Sequence, residues 1–499
     1  MKSQTGSPVK LLLAIFLALL IVSVFVRPWG ADDGWQMWII DNLNISGRYT
    51  FGPFAKWFQG MPDLPLMFHR VWFSLLASFT VFPRSSDVAL LRVPSVIAAF
   101  VCMVALLDAM RAVGMSSGRA LTVTSSVVAA WCLGGGPDFI VSLRADSVTL
   151  AATAVALWAA IRLVRSPGRT ASYPIWISLV TSWFSFACHP TGLYPLILSH
   201  LSICFVTFSW RAAWNSMVVS GGCALLWYFT VVWPDTPTQF LATMSSLRQA
   251  GYGAGNGWYN EHIRYLDLLQ RHTVLAGPLC VLFVSLVYRC RNRLATMCIE
   301  ERLLWAYLGI GVLFLTFQVN KLPSYASLLV PALALLSGMC AHAEAQGGGR
   351  GAYVTFLAPA FAVFIIAFGH VQVIRRDNYL LVHALHHQTP QTRAVDSVLK
   401  SIAGHPIVID SRLYPLLRNS FSDIRSRYDR STTADFVIGP AHNFEVSDAW
   451  YFADRGLRPV IAASFSLNGA VFLVLSTELN RASIAGGSPA KSLTSPWER

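Results

Sequence analysis

The sequence predicts an α-helical polytopic membrane protein with a small extracytoplasmic C-terminal α/β domain. Three observations point there. Of 499 residues, 54% are hydrophobic and only 13% are charged, a balance foreign to soluble globular domains and to disordered chains. Apolar runs long enough to cross a bilayer recur from the N-terminus to residue 370. Beyond that point the texture changes to short β-branched runs set between polar segments.

Residues 11–26 follow Lys2 and Lys10. The succeeding Arg27-Pro28-Trp29-Gly30 offers no small-residue cleavage site, so this run reads as an uncleaved first span. Further spans are expected near 92–108, 119–135, 147–164, 173–188, 193–208, 216–233, 274–288, 303–319, 326–342 and 353–369. One more apolar stretch, 64–82, is interrupted by His69 and Arg70 and opens with Pro62 and Pro65. If it spans, Arg162, Arg165, Arg169, Arg289, Arg291 and Arg293 face outward. If it lies along the outer interface as an amphipathic helix, they face the cytoplasm with Lys2, Lys10, Arg111, Arg119, Arg211 and Arg350. The positive-inside rule selects the second arrangement. It gives about 11 spans of the length a bilayer needs. The outer face then collects 27–91, 136–146, 189–192, 234–273, 320–325 and everything after 370.

The net charge of +13 belongs to these loops, and nothing indicates nucleic-acid binding. The nine cysteines contain no C-x-x-C pair, so no zinc or redox motif is indicated. No cofactor is called for, and a divalent cation stays open.

The domain plan is a membrane part at 1–370, an α/β domain at 371–481 and a disordered tail at 482–499. In the α/β domain, 391–403, 413–427 and 446–455 read as helical. Residues 407–409, 436–438, 460–462 and 471–474 read as strands. There is no G-x-G-x-x-G or P-loop, so no nucleotide site is expected.

The polar motifs all fall on the outer face. Asp32-Asp33-Gly34-Trp35 stands just beyond the first span. Charge is costly inside a membrane and less so at its edge, where a carboxylate can meet the headgroup of a lipid-linked substrate. A positioned base contributes about 10²–10⁴ in rate; the same aspartates also suit a helix N-terminus. Asp63 lies between two prolines and equally fits a turn. Arg144, in Leu143-Arg144-Ala145-Asp146, suits a bidentate phosphate contact or an interfacial anchor paired with Asp146. His189-Pro190-Thr191-Gly192 forms a tight turn that needs no chemistry from the histidine. Arg248 precedes the glycines of 251–257, which loosen the long loop. Trp258, Tyr259 and Glu261 combine aromatic faces with hydrogen-bonding groups; an interfacial aromatic belt has the same look. Lys321 opens a span from the outer side, as a phosphate contact or a snorkelling lysine. His383, His386 and His387 read as a solvated helix face.

In order and spacing, these motifs resemble the GT-C membrane glycosyltransferases, and within them the Emb-type arabinofuranosyltransferases. The matching segments are Asp32-Asp33-Gly34-Trp35, then Lys56-Trp57-Phe58 with Pro62-Asp63-Leu64-Pro65, and Leu91-Arg92-Val93-Pro94. Leu143-Arg144-Ala145-Asp146 with Pro190-Thr191-Gly192 follows, then Trp258 to Tyr265; Lys321 begins a weaker sixth. The resemblance implies a polyprenyl-phosphate-linked D-arabinofuranose donor (decaprenyl or undecaprenyl) and inverting transfer at the periplasmic side of a bacterial inner membrane. By position, Asp32 would be the general base, Trp35 and Asp63 would line the sugar pocket, and Arg144 and Lys321 would hold the donor phosphate. Asp33 would orient or cap. The chain departs from the family in having Trp35 where a tyrosine-like aromatic stands and Ser324-Tyr325 where a histidine pair follows. It also has no large carbohydrate-binding modules. Its compactness is similar to relatives that modify type IV pilins, so the expected acceptor is a pilin Ser/Thr or a cell-envelope glycan. Alternatives are transfer of another polyprenyl-phosphate sugar, such as mannose or aminoarabinose, and a transporter for lipid-linked sugar.

Overall fold

The computed structural model describes residues 31–50, 69–80, 88–118, 143–165, 172–207, 210–229, 297–317, 327–346, 397–410, 413–418, 424–426, 434–441, 459–467 and 470–476, with isolated positions between them. Its helices are α1 Ala31–Ser46, α2 Arg70–Ser78, α3 Val93–Ala112, α4 Asp146–Arg165, α5 Ser172–Cys188, α6 Tyr194–Thr207, α7 Trp210–Trp227, α8 Ile299–Phe317, α9 Val330–Gln346 and α10 Tyr414–Leu417. Two compact units are formed. One holds Met1–Phe25 and Pro65–Asp377, the other Val26–Leu64 and Asn378–Arg499. Nothing in the sequence announces the grouping of 26–64 with the C-terminal residues.

In the first unit, α4 is the central helix and touches α3, α5, α6, α8 and α9. Its residues Ala151, Ala152, Ala154, Ala156, Ala159 and Ala160 are all buried, and their small size lets neighbouring backbones approach closely. On α3, Ala98, Ala99, Cys102, Ala105, Leu106 and Ala109 are buried while Ile97, Phe100, Val101 and Val104 are exposed. Apolar side chains on both faces suit a helix standing between protein and lipid. Leu90–Ala112 and Asp146–Arg165 are each long and apolar enough to cross a membrane.

Seven of the expected spans coincide with helices α3 to α9, with two local differences. Helix α7 starts at Trp210 rather than near 216, and α9 is preceded by a 3-10 turn over Ser327–Leu329. The spans expected at 11–26, 119–135, 274–288 and 353–369 lie wholly or largely outside the described residues.

Ion pairs mark one end of this bundle. Arg162 Nη2 lies 2.7 Å from Asp108 Oδ2, which also accepts from Trp158 Nε1 at 2.7 Å. Arg165 pairs with Glu300 and donates to the carbonyl of Ala112. The C-terminal ends of α3 and α4 therefore meet the N-terminal end of α8. The stretch 64–82 bears on the opposite end, about 30 Å away along α4 at 1.5 Å per residue. There α2 has nine residues, about 14 Å of helix, roughly half of what a hydrocarbon core requires. It buries Trp72, Phe73, Leu76 and Ala77 and anchors through Trp72 Nε1, which donates to the carbonyl of Leu143 at 2.5 Å.

The second unit contains a five-stranded sheet in the order β2-β1-β3-β5-β4. Its strands are β1 Ile407–Ile409, β2 Ile424–Ser426, β3 Phe436–Pro440, β4 Val460–Leu467 and β5 Ala470–Ser476. Strand β1 pairs parallel with β2 and β3, while β5 runs antiparallel to β3 and β4. Val408, Val437 and Leu475 form a buried cluster with Ala434 and Leu473 against it. The four expected strands are present. The helix expected over 413–427 is corrected: among the described residues of that stretch the α-helix is Tyr414–Leu417, and Ile424–Ser426 is strand β2. Pairing with the open edge of β1 overrides local propensity there. Residues 397–401 are helical; the helix expected at 446–455 lies outside the described residues.

Candidate functional site

Helix α1 spans Ala31–Ser46, and Asp32 and Asp33 both lie in the first described turn. Asp33 is buried and Trp35 partly so. The far end of the helix is tightly fixed. Gly47 adopts φ 68°, and its N–H donates to the carbonyl of Leu43 at 2.8 Å, a left-handed cap that glycine adopts without a Cβ penalty. Asn42 Nδ2 reaches Thr50 Oγ1 at 3.3 Å. Asp41, missed in the sequence, accepts from Arg418 Nη1 at 2.5 Å through Oδ1 and from Tyr414 OH at 3.0 Å through Oδ2.

In the first unit a polar knot gathers where α2, α4 and α5 meet. Arg144 Nε lies 2.7 Å from Asp146 Oδ2, with Asp146 only 5% exposed. Both readings of Arg144 draw on this pair, because the carboxylate fixes the direction of the guanidinium. His189 N-caps the 3-10 turn Pro190–Leu193. Its Nδ1 accepts from the Thr191 N–H at 3.2 Å, and the Thr191 hydroxyl lies 2.6 Å from the same nitrogen. That hydroxyl is 3.4 Å from Thr149 Oγ1 on α4, which accepts from Ser185 Oγ on α5 at 3.5 Å. Gly192 is a packing requirement, since a Cβ there would stand 2.2 Å from the backbone carbon of Ser185.

No sequence motif assigns a role to His69, which sits against this knot. Its Nδ1 lies 3.0 Å from the carbonyl of Cys188, and its ring centroid is 4.9 Å from that of His189. The His69 pKa is lowered to about 4, chiefly by burial and to a lesser degree by the Arg144 charge, against the raising effect of the Cys188 hydrogen bond. Burial, then His69 and Arg144, holds His189 well below the ordinary histidine range. Both rings are neutral near pH 7. The break that His69-Arg70 makes in an apolar stretch was the available signal; its partner, 119 residues on, was not visible.

Arg144 and His189 are thus brought together, and Asp32, Asp33 and Trp35 share the first turns of α1. Asp63, Arg248, Trp258, Tyr259, Glu261 and Lys321 lie outside the described residues. Among the described residues, no group of three or more His, Cys, Asp or Glu is arranged to hold a metal ion.

The chain is similar in fold to solved GT-C glycosyltransferases. Against ArnT from Cupriavidus metallidurans bound to undecaprenyl phosphate, the TM-score is 0.59 at 15% identity, covering 97% of this chain and 100% of that one. The apo state of the same protein gives 0.58 at 14% identity over the same shares. The archaeal oligosaccharyltransferase AglB from Archaeoglobus fulgidus, in complex with an inhibitory peptide and a dolichol-phosphate, gives 0.51 at 12% identity, covering 93% of this chain and 74% of that one. No family model matches the sequence, and no curated protein does. At these identities the fold is what is shared: the chain has the GT-C membrane fold.

Proposed function

We propose that this protein is an inverting, polyprenyl-phosphate-dependent glycosyltransferase. It would move D-arabinofuranose to an acceptor hydroxyl at the extracytoplasmic face of a bacterial inner membrane. The observation that carries the reading is the GT-C fold over nearly the whole chain, together with two adjacent carboxylates in the first turn of α1.

In the proposed reaction, the Asp32 carboxylate takes the proton of the acceptor hydroxyl as that oxygen bonds to the anomeric carbon. The bond from that carbon to the phosphate oxygen breaks, and polyprenyl phosphate leaves with the electron pair. Arg144 and Lys321 are assigned to the charge on the leaving phosphate. Asp33 orients the first turn, Trp35 and Asp63 line the sugar site, and His189 supports Arg144. The long loop with Arg248, Trp258, Tyr259 and Glu261 is assigned to substrate contacts. The acceptor is a pilin Ser/Thr or a cell-envelope glycan.

The test is purified protein in proteoliposomes with synthetic polyprenyl-phosphate arabinofuranose, the product read by intact mass. A pentose-sized mass increase on the acceptor supports the reading; no donor turnover speaks against it. A second reading changes only the sugar, to aminoarabinose or mannose, and the end-to-end likeness to ArnT is on its side. The added mass separates the three.

A further inference from the structure

The sheet domain and the aspartate-bearing helix belong to one compact unit although the chain between them runs through the whole membrane part. One carboxylate, Asp41, joins them. Both oxygens of Asp41 are engaged, one by Arg418 and one by Tyr414. Arg418 is 12% and Asp41 21% exposed, so the pair is largely withdrawn from water, where a charge-assisted contact is strong and breaking it on one side is costly. Tyr414 opens α10 and Arg418 is its C-cap, in helical conformation; four residues apart, they stand on the same side of that turn.

The place of α10 in the sheet is informative. Strand β1 lies between β2 and β3 and is parallel to both. The chain leaves the carboxyl end of β1 towards β2 and that of β3 towards the other side of the sheet, and in open parallel sheets such an edge is the customary ligand crevice. Asp410, at the end of β1, is buried. The Asp410 N–H donates to the carbonyl of Ile438 at 3.0 Å, and its own carbonyl accepts from Leu413 N at 2.9 Å. The segment that leaves the edge is α10, and what α10 engages is α1.

We infer that the C-terminal sheet domain is the seat of helix α1, and that Asp41, gripped by Tyr414 and Arg418, is a positioning residue for the reaction proposed at Asp32. Position 32 precedes position 41 by nine residues, about 14 Å and two and a half turns, which puts it on the opposite side of the helix. Holding one side at Asp41 therefore aims the other. A tilt of about 5° at the grip moves the first turn by about 1 Å, and a displacement of that size costs on the order of 10²-fold in rate when it misplaces a reacting group.

This rests on the transferase reading, and the experiment separates the two. Arg418→Ala, Asp41→Ala and the swapped pair Asp41→Arg with Arg418→Asp are compared with the full-length protein in nanodiscs. Hydrogen exchange is followed in residues 31–46, and kcat and KM for the lipid donor are measured. Breaking the contact is expected to speed exchange in 31–46 at least about tenfold with exchange in α3 to α6 unchanged. It should lower kcat about 10- to 100-fold with KM within about twofold, and the swap should recover part of both. Unchanged exchange in 31–46, or kcat within about twofold of wild type in Arg418→Ala, overturns the inference. Failure of the transferase reading shows separately, as a wild-type protein that turns over no polyprenyl-phosphate sugar; that result removes the positioning role as well and leaves the exchange difference as a structural contact only.

Discussion

His69 and His189 face each other with ring centroids 4.9 Å apart, and their hydrogen bonds give them opposite tautomers. The Cys188 carbonyl can only accept, so His69 carries its proton on Nδ1. The Thr191 N–H can only donate, so His189 accepts at Nδ1 and carries its proton on Nε2. Two like rings at this spacing are stable as a neutral pair, and protonating either one sets its charge beside Arg144.

The pair therefore predicts acid lability. The folded His69 pKa of about 4 lies below the unfolded value of about 6.5. Between those values the unfolded chain binds more protons. The stabilisation is complete above pH 6.5 and is lost as pH falls towards 4. Thermal unfolding in detergent should show a Tm that drops between pH 7 and pH 5. In His69→Asn, whose amide replaces the Nδ1 donor without a titrating ring, the drop should be smaller. An equal drop in both proteins would remove His69 as its source.

Gly192→Ala should fail structurally rather than chemically. The new methyl carbon would sit 2.2 Å from the Ser185 backbone carbon, far inside van der Waals contact, and backbone cannot yield as a flexible side chain does. Overpacking of this kind costs on the order of 1–3 kcal/mol or more. Size-exclusion profiles and unfolding curves should show a loss of folded protein. A normally folded, normally stable Gly192→Ala would mean that the turn sits further from α5.

The helices of the membrane part were legible because each is a long apolar run bounded by polar residues, a signal written locally. The strands Ile407–Ile409 and Phe436–Pro440 were legible for the same reason. Ile424–Ser426 was not: three residues of mixed character become a strand only because β1 offers an edge beside them. The site divides along the same line. Asp32, Arg144 and His189 stand in short local motifs. Asp41 and His69 draw their meaning from partners 373 and 119 residues away, and no local pattern carries that.

At Arg144, charge and geometry can be separated. Arg144→Lys keeps the positive charge but loses the planar fork and the Nε contact with Asp146. If Arg144 holds the donor phosphate as proposed, only the guanidinium can do so with two parallel bonds, so KM for the lipid donor should rise about tenfold or more, while added salt should not restore it. Kinetics like those of wild type would assign Arg144 to anchoring alone.

The carboxylate at position 32 tests the central claim most directly. Asp32→Asn keeps shape and removes the base, so transfer from polyprenyl-phosphate arabinofuranose to an acceptor should fall by about 10²–10⁴. Donor binding, measured on the same preparation, should stay at the wild-type level. Transfer at a near wild-type rate would contradict the account.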